Sequence, residues 1–446
     1  MPQRTRSRTV ANVRFQENLA SASIHRLPNE VIARILVIGC PFPDHTCRSI
    51  DTHPLKHQVL VTAVCTLWRQ IAHHSPSLWT SVVVRPPYPK KYLSLYQNLL
   101  SAVLTRSGTL ELDISIAVPE KNSHASTYYH LLAPHLPRVH TLEVDILNPH
   151  ANFIPISPIP ELNKLRHFYS KGWLGQNPVV IPLAVQHSPL ETFYYEMASP
   201  LRMSSVPTTE LQTVRFRCLQ TSIQPKEVVK FFENCKLQIL EIDVWNWDPE
   251  QIISSPTLAH LDIRIGSFGR LSTSCVIGQL PNLRHLNLAV SAIWLSGNRV
   301  TWPPLPSLRS LTLRTDEARK PYFEHILQGT PQLVALQIYD TEALAAFDLW
   351  GKAGTEGGVR ADSLRLVRVL IEFPLSAKRY DELSDLARIL HGEPHIQTEW
   401  YTQGFTENRY PVLLDGIQAT HLLKWKVEPS PPLFRRADEI IGEDGI

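Results

Sequence analysis

Cysteine, glycine, net charge and long apolar runs are all scarce in this chain, and each shortage excludes something. Six cysteines in 446 residues, at 40, 47, 65, 218, 235 and 275, show no paired spacing. That argues against a disulfide scaffold and fits a reducing compartment. Glycine, at 18, is too rare for long floppy linkers. The 44 basic and 41 acidic side chains leave a net charge of +3, without the basic excess of a dedicated nucleic-acid binder. The longest apolar runs, such as VIARILVIGC with Arg34 inside it, fall far short of a membrane span. G-x-S-x-G, the P-loop, G-x-G-x-x-G and H-E-x-x-H are all missing. His73 and His74 adjoin but have no acid or metal partner nearby in sequence, so they read as a surface pair near a helix end. No catalytic residue, metal or cofactor is expected, and neither a nucleic acid nor a membrane is expected as a partner.

What is present starts with proline, at 36 residues, well above the ~5% of typical proteins. Proline without glycine implies many rigid punctuation points. Hydrophobic residues make up 43% and charged residues 19%, enough for a large core. A chain of 446 residues exceeds one ordinary compact domain unless it is a repeat array. The first 23 residues carry four arginines and no acid before Glu17. They read as a disordered basic tail, with a transit peptide or a nuclear address as the alternative.

A repeat runs through most of the chain. RVHTLEVDI, KLRHFYSKG, PLETFYYEM, ELQTVRFRC, KLQILEIDV, TLAHLDIRI, NLRHLNLAV, SLRSLTLRT, QLVALQIYD and SLRLVRVLI share the pattern L-x-x-L-x-L. Their first apolar positions are Val139, Leu165, Leu190, Leu211, Leu237, Leu258, Leu283, Leu308, Leu333 and Leu364, with steps of 21 to 31 residues and a mean of 25. The alternation at the end of each unit is a short strand with one buried face. In NLRHLNLAV the buried set is Leu286, Leu288 and Val290. Pro137, Pro256, Pro281, Pro306 and Pro331 stand two residues before the first apolar position, where proline ends the preceding helix or turn and favours extended backbone. No unit buries its own apolar face, so the units must stack. The pattern resembles a degenerate leucine-rich repeat in which that family's buried asparagine after the strand is mostly missing.

Two further strands are expected at 81–86 and 110–116, the latter alternating Leu110, Leu112, Ile114 and Ile116. Between them, apolar residues at 92, 95, 99, 102 and 103 predict a helix ended by Gly108. Near the C-terminus, Tyr380, Leu383, Leu386 and Leu390 share a helical face that reads either as a cap or as another repeat's helix. Residues 429–446 are Pro-rich, then acidic, and read as a disordered tail.

The N-terminal stretch IHRLPNEVIARIL predicts an amphipathic helix. Pro28 suits its first position and Glu30 complements its dipole; Leu27, Val31, Ile35 and Ile38 share a face widened by Ile32 and Leu36. In LKHQVLVTAVCTLWRQIAHHSPSLW a second helical face, open to division into two helices, carries Leu60, Val64, Leu67, Trp68 and Ile71. Cys65 on this face reads as a buried structural thiol. L-P-x-E followed by V-C-x-x-W-R-x-I-A and P-x-L-W resembles the F-box, and residues 24–80 are identified with it. The continuation SPSLWTSVVV … LTRSGTLELDISI is similar to F-box-like proteins abundant in mushroom-forming fungi. The resemblance implies an α/β architecture: a small helical F-box, then an irregular leucine-rich-repeat solenoid over 81–428 with C-terminal capping elements. It also implies a substrate-recognition adaptor of an SCF-type (Skp-cullin-F-box) ubiquitin ligase, in the cytoplasm, the nucleus or both, monomeric before assembly. By the resemblance Leu27, Pro28, Val31, Ile35, Val64, Cys65 and Trp68 occupy docking and core positions toward the Skp-type adaptor. The alternatives are a scaffold of the same fold without ligase attachment, and an enzyme with an unrecognised site. Removing residues 24–80 is expected to separate a docking module from a structural cap.

The chain departs from the F-box pattern at GCPFPDHTCRSIDTHP, where an insertion holds Cys40, His45, Cys47 and His53, with His57 just beyond. Such ligands suit zinc, but the gap between pairs is short and the stretch Pro-rich, so it reads as an exposed loop. For a protein substrate, the alternation turns Glu143, Asp145, Tyr169, Tyr194, Arg215, Arg217, Glu241, Asp243, Asp262, Arg264, Arg314 and Tyr339 away from the core, with Trp245 and Trp247 just past one strand. Aromatic and arginine residues on such a surface are typical interface anchors.

Overall fold

The computed structural model describes residues 23–40, 54–84, 93–118, 130–146, 162–172, 188–197, 206, 209–218, 236–246, 253–267, 277–290, 303–315, 329–339, 363–372, 396–403 and 424–427. The fold is mixed: a parallel β-solenoid with a few helices. Its contacts divide it into two compact units, one of residues 1–174 and 182–189, the other of residues 175–181 and 190–446. The tails at 1–22 and 429–446, the Cys/His insertion at 41–53 and the helix expected at 378–392 lie outside the described residues.

The first unit begins with helices α1 (Asn29–Ile38), α2 (Pro54–Val64) and α3 (Thr66–His73). Pro28 stands at the N-cap of α1, one position earlier than its sequence suggests. Its extended ψ of 146° aims its carbonyl at the amides of Val31 and Ile32, 3.0 and 3.1 Å away. The second helical segment breaks at Cys65, whose backbone is extended. Its sulfur accepts the Trp68 amide at 3.3 Å and so caps α3. The chain then passes through a turn at Pro76–Trp79 into β1 (Ser81–Val84). Helix α4 (Leu93–Arg106) leads to β2 (Leu112–Val118), β3 (Val139–Ile146) and β4 (His167–Gly172). These strands pair in parallel in chain order, with a register shift at Leu112/Asp113.

The buried stripe of α4 is turned from the expected one: Leu100, Val103 and Leu104 are buried, whereas Leu95 is exposed. Tyr96 anchors this rotation, because its hydroxyl donates to the Val83 carbonyl at 2.6 Å. Gly108 ends the helix with φ near +59°, a left-handed conformation favouring glycine. Leu110 lies ahead of the strand and is exposed.

The second unit carries β5 (Thr192–Met197), β6 (Thr213–Cys218), β7 (Ile239–Asn246), β8 (His260–Ser267), β9 (His285–Val290), β10 (Ser310–Thr315), β11 (Ala335–Tyr339), β12 (Leu366–Glu372), β13 (Gln397–Gln403) and β14 (Lys424–Val427). All pair in parallel, each with its chain neighbour. The core follows the repeat. Leu237, Leu240 and Ile242 stack on Leu258, Leu261 and Ile263, then on Leu283, Leu286 and Leu288, all almost wholly buried. Each such side chain contributes about 1.5–3 kcal/mol of hydrophobic burial. Phe193, Tyr195 and Phe216 start the stack as an aromatic cluster, with Phe193 5.7 Å from Phe216 between ring centroids.

The prolines have a more specific role than a stop. Leu283, Leu308 and Leu333 each return an amide hydrogen bond to the carbonyl three residues back, on Leu280, Leu305 and Thr330. Pro281, Pro306 and Pro331 therefore take the second position of a β-turn, where a fixed φ is preorganised. Each turn feeds a repeated backbone clamp. The Gln212 carbonyl accepts the amides of Gln238 and Ile239, the Gln238 carbonyl those of Ala259 and His260, and the Ala259 carbonyl those of Arg284 and His285. One acceptor holding two amides of the next strand fixes the register from unit to unit.

Candidate functional site

The first candidate surface is apolar and lies on the N-terminal helices. Ile32 and Leu36 are the buried side of α1; Val31, Ile35 and Ile38 flank it and, with Leu27 just ahead of the helix, are exposed, Ile38 to 74%. On α2 the buried residues are Gln58 and Val61, while Val59, Leu60 and Val64 are exposed. The sequence puts Leu27, Val31, Ile35 and Ile38 on one face with Ile32 and Leu36 at its edges; the burial divides this face between inside and outside. Leu27, Pro28, Val31, Ile35 and Val64 are thus accessible. Cys65 is buried and serves the α3 cap, and Trp68 is half-buried with an indole N–H that meets no acceptor among the described residues. Val59 belongs with the exposed set although the sequence reading did not single it out.

The inner side of the same helices is fastened to the first strand. The buried Gln58 amide donates to the carbonyls of Leu78 and Ser81 at 2.9 and 3.1 Å. Trp79 is 1% exposed, donates to the Ala72 carbonyl at 2.7 Å, and has the Arg106 guanidinium 4.7 Å from its ring centre. Arg138 reaches back to the end of α4, donating to the carbonyls of Leu104 and Leu110 and the Ser107 hydroxyl. There a cation complements the helix dipole.

The second candidate surface is the outward face of β5–β9, in the other unit. Strand register brings Tyr194, Arg215, Glu241, Asp262 and Asn287 into one row and Glu196, Arg217, Asp243, Arg264 and Ala289 into the next. Arg215 pairs with Glu241 at 2.9 Å. Arg217 bridges Glu196 and Asp243, both at 3.2 Å. Arg264 stands 3.7 Å from Asp262 and 4.0 Å from Asp243. The Tyr194 hydroxyl donates to Glu196, and burial first, then that contact with Glu196, pushes its pKa up. Asp262 is 3% exposed, and burial pushes its carboxyl up to about 8. Arg264 works against that shift, Glu241 and Asp243 add to it, and a hydrogen bond from Asn287 opposes it.

Of the residues expected on the substrate face, Tyr194, Arg215, Arg217, Glu241, Asp243, Asp262 and Arg264 thus meet in one connected group. Trp245 and Arg314 lie on β7 and β10, with side chains outside the described set. Trp247 also lies outside the described residues. Glu196, which the sequence reading did not single out, obeys the same alternation as Tyr194 and links that tyrosine to Arg217. In the first unit Glu143 is buried beside Lys171 at 3.7 Å, so it is less available than its outward position implies.

Among the described residues no group of three or more His, Cys, Asp or Glu side chains could hold a metal ion. No described helix is long and apolar enough to cross a membrane. No protein-family model matches the chain, and no curated protein is significantly similar to it.

Proposed function

We propose that this chain is the substrate-recognition adaptor of an SCF-type ubiquitin ligase, an F-box protein with degenerate leucine-rich repeats, acting in the cytoplasm, the nucleus or both. The F-box docks on a Skp-type adaptor and thereby on the cullin complex, and the repeats hold a protein substrate. The observation that carries this reading is the exposed stripe of Leu27, just ahead of α1, and Val31, Ile35 and Ile38 on it, beside a flank that Ile32 and Leu36 already bury. An apolar helical face left in water is a docking face by default. The L-P-x-E and V-C-x-x-W-R sequences supply the choice of partner. The ubiquitin-transfer chemistry belongs to other subunits.

The connected ionic face of β5–β9 supports the substrate half of the reading. Arginines and a tyrosine held in fixed pairs form a preorganised polar surface of the kind that protein interfaces use.

The test is a pull-down of the purified chain with a Skp-type adaptor, wild type beside Pro28→Ala/Ile35→Asp. Capture of the wild type, abolished by the double change in a chain that keeps its fold, is the expected outcome. A folded wild type that is not captured sinks the adaptor reading. The second reading, an interaction scaffold without ligase attachment, then stands; the bonds of Gln58 to Leu78 and Ser81 and of Trp79 to Ala72 favour it, because they give the helices a structural task of their own.

A further inference from the structure

Glu196, Glu241, Asp243 and Asp262 face Arg215, Arg217 and Arg264. Arg215 Nη2 lies 2.9 Å from Glu241 Oε1, and Arg217 lies 3.2 Å from both Glu196 and Asp243. Asp262 is left to Arg264, whose Nε lies 3.7 Å from Asp262 Oδ1, too far for a hydrogen bond. That oxygen is buried and has no hydrogen-bond partner among the described residues. A buried carboxylate oxygen without a donor costs a large part of its hydration.

We propose that Asp262 anchors an arginine side chain of the protein segment that the sheet binds. Glu241 and Asp262 stand at the same register on adjacent strands, whose backbones run about 4.8 Å apart as parallel strands do. A guanidinium carries five N–H donors, enough to bond side chains from both strands, and supplies the donor that Oδ1 lacks. Asn287 closes the far side from β9 through its hydrogen bond to Asp262. His260 and His285 occupy the preceding register position on the same face, with ring centroids 5.9 Å apart. The side chains of Glu241, Asp243 and Arg264 remain 22, 32 and 24% exposed, so an incoming cation meets the acids at the surface and displaces Arg264 to reach Asp262. In the unliganded chain a proton occupies Asp262, and binding of the arginine releases it. The inference rests on the reading that this face binds protein, but not on attachment to a ligase.

The experiment uses the full-length chain labelled with ¹³C at its aspartate carboxyls, with the Asp262 signal identified by its loss in Asp262→Asn. Its pH midpoint is followed with N-acetyl-argininamide and with the neutral isostere N-acetyl-citrullinamide. The arginine compound is expected to lower the midpoint saturably by about one unit, which is a tenfold preference of the cation for the ionised carboxyl. The citrulline compound leaves it unmoved. Glu241→Gln is expected to shrink the shift. Equal midpoints with the two compounds overturn the proposal, as does a shift undiminished in Glu241→Gln. Because no Skp-type adaptor is present, a chain that passes the pull-down and fails here loses the arginine anchor alone. One that fails the pull-down and shows the shift keeps the anchor on a scaffold.

Discussion

Asp262 is an acid placed where ionisation is costly, and its proton couples folding to pH. The folded chain holds this proton up to about pH 8, while an unfolded aspartate releases it near 4. Between those values unfolding releases a proton, so stability is greatest below the lower value and falls as pH rises through the upper one. The slope approaches ~1.4 kcal/mol per pH unit. Asp262→Asn removes the slope and stabilises the chain above pH 8, which urea unfolding at a series of pH values measures; a wild-type slope retained in the variant refutes the assignment. Gln58 gives the opposite kind of residue-scale prediction. Gln58→Ala leaves two buried carbonyls, on Leu78 and Ser81, without their donor. The expected loss is ~2–4 kcal/mol in urea unfolding. The outward placement of Asp262 is legible from period-two alternation. Its burial is not, because Asp262 is flanked at the same register by Glu241 and Asn287 on neighbouring strands, and one strand's pattern carries no information about what lies across the ladder.

At the scale of elements, the repeat is the part most openly written in the sequence. Each L-x-x-L-x-L unit forms its strand because its alternate leucines have only the neighbouring unit to pack against. Leu288→Ala in β9 is expected to cost ~2–5 kcal/mol, since Leu288 is 1% exposed and its neighbours across the ladder, Ile263 and Leu313, are held by their own registers and close only partly over the gap. Thermal unfolding reads that loss directly, and a change within experimental error would mean the unit is not packed as a layer. The strands that the pattern misses explain themselves. In β13 the register positions opposite Val367 and Val369 are Thr398 and Trp400, so the leucine signature is gone although the pairing continues. In β14 only Trp425 and Val427 keep the alternation. The stripe of α4 is misread by sequence for a different reason: Tyr96 turns the helix by its hydrogen bond to Val83, a tertiary contact that helical periodicity does not encode.

For the molecule as a whole, the N-terminal helices have two sides with separate tasks. Gln58 ties one side to Ser81 at the start of β1, and Trp79 ties the turn ahead of β1 to α3, so removal of residues 24–80 strips these contacts from the first strand whether or not the other side docks a partner. Deletion therefore does not separate the adaptor from the scaffold, contrary to what the sequence alone implies. Point variants on the exposed stripe do. Ile35 and Val64 are 42 and 49% exposed. Replacing either by aspartate places a charge in water, and surface substitutions of this kind usually change stability by less than ~0.5 kcal/mol. The same charge pressed into an apolar interface with a Skp-type adaptor loses its hydration without a partner, a penalty of at least ~2 kcal/mol or roughly thirtyfold in affinity. Ile35→Asp and Val64→Asp are expected to unfold at the wild-type temperature and to lose adaptor binding by that factor or more, measured by calorimetry on the same preparations. Parallel loss of stability and binding would place these side chains in the core of the chain rather than on its docking face. Unchanged binding in both variants would move the contact off the α1 and α2 stripes altogether.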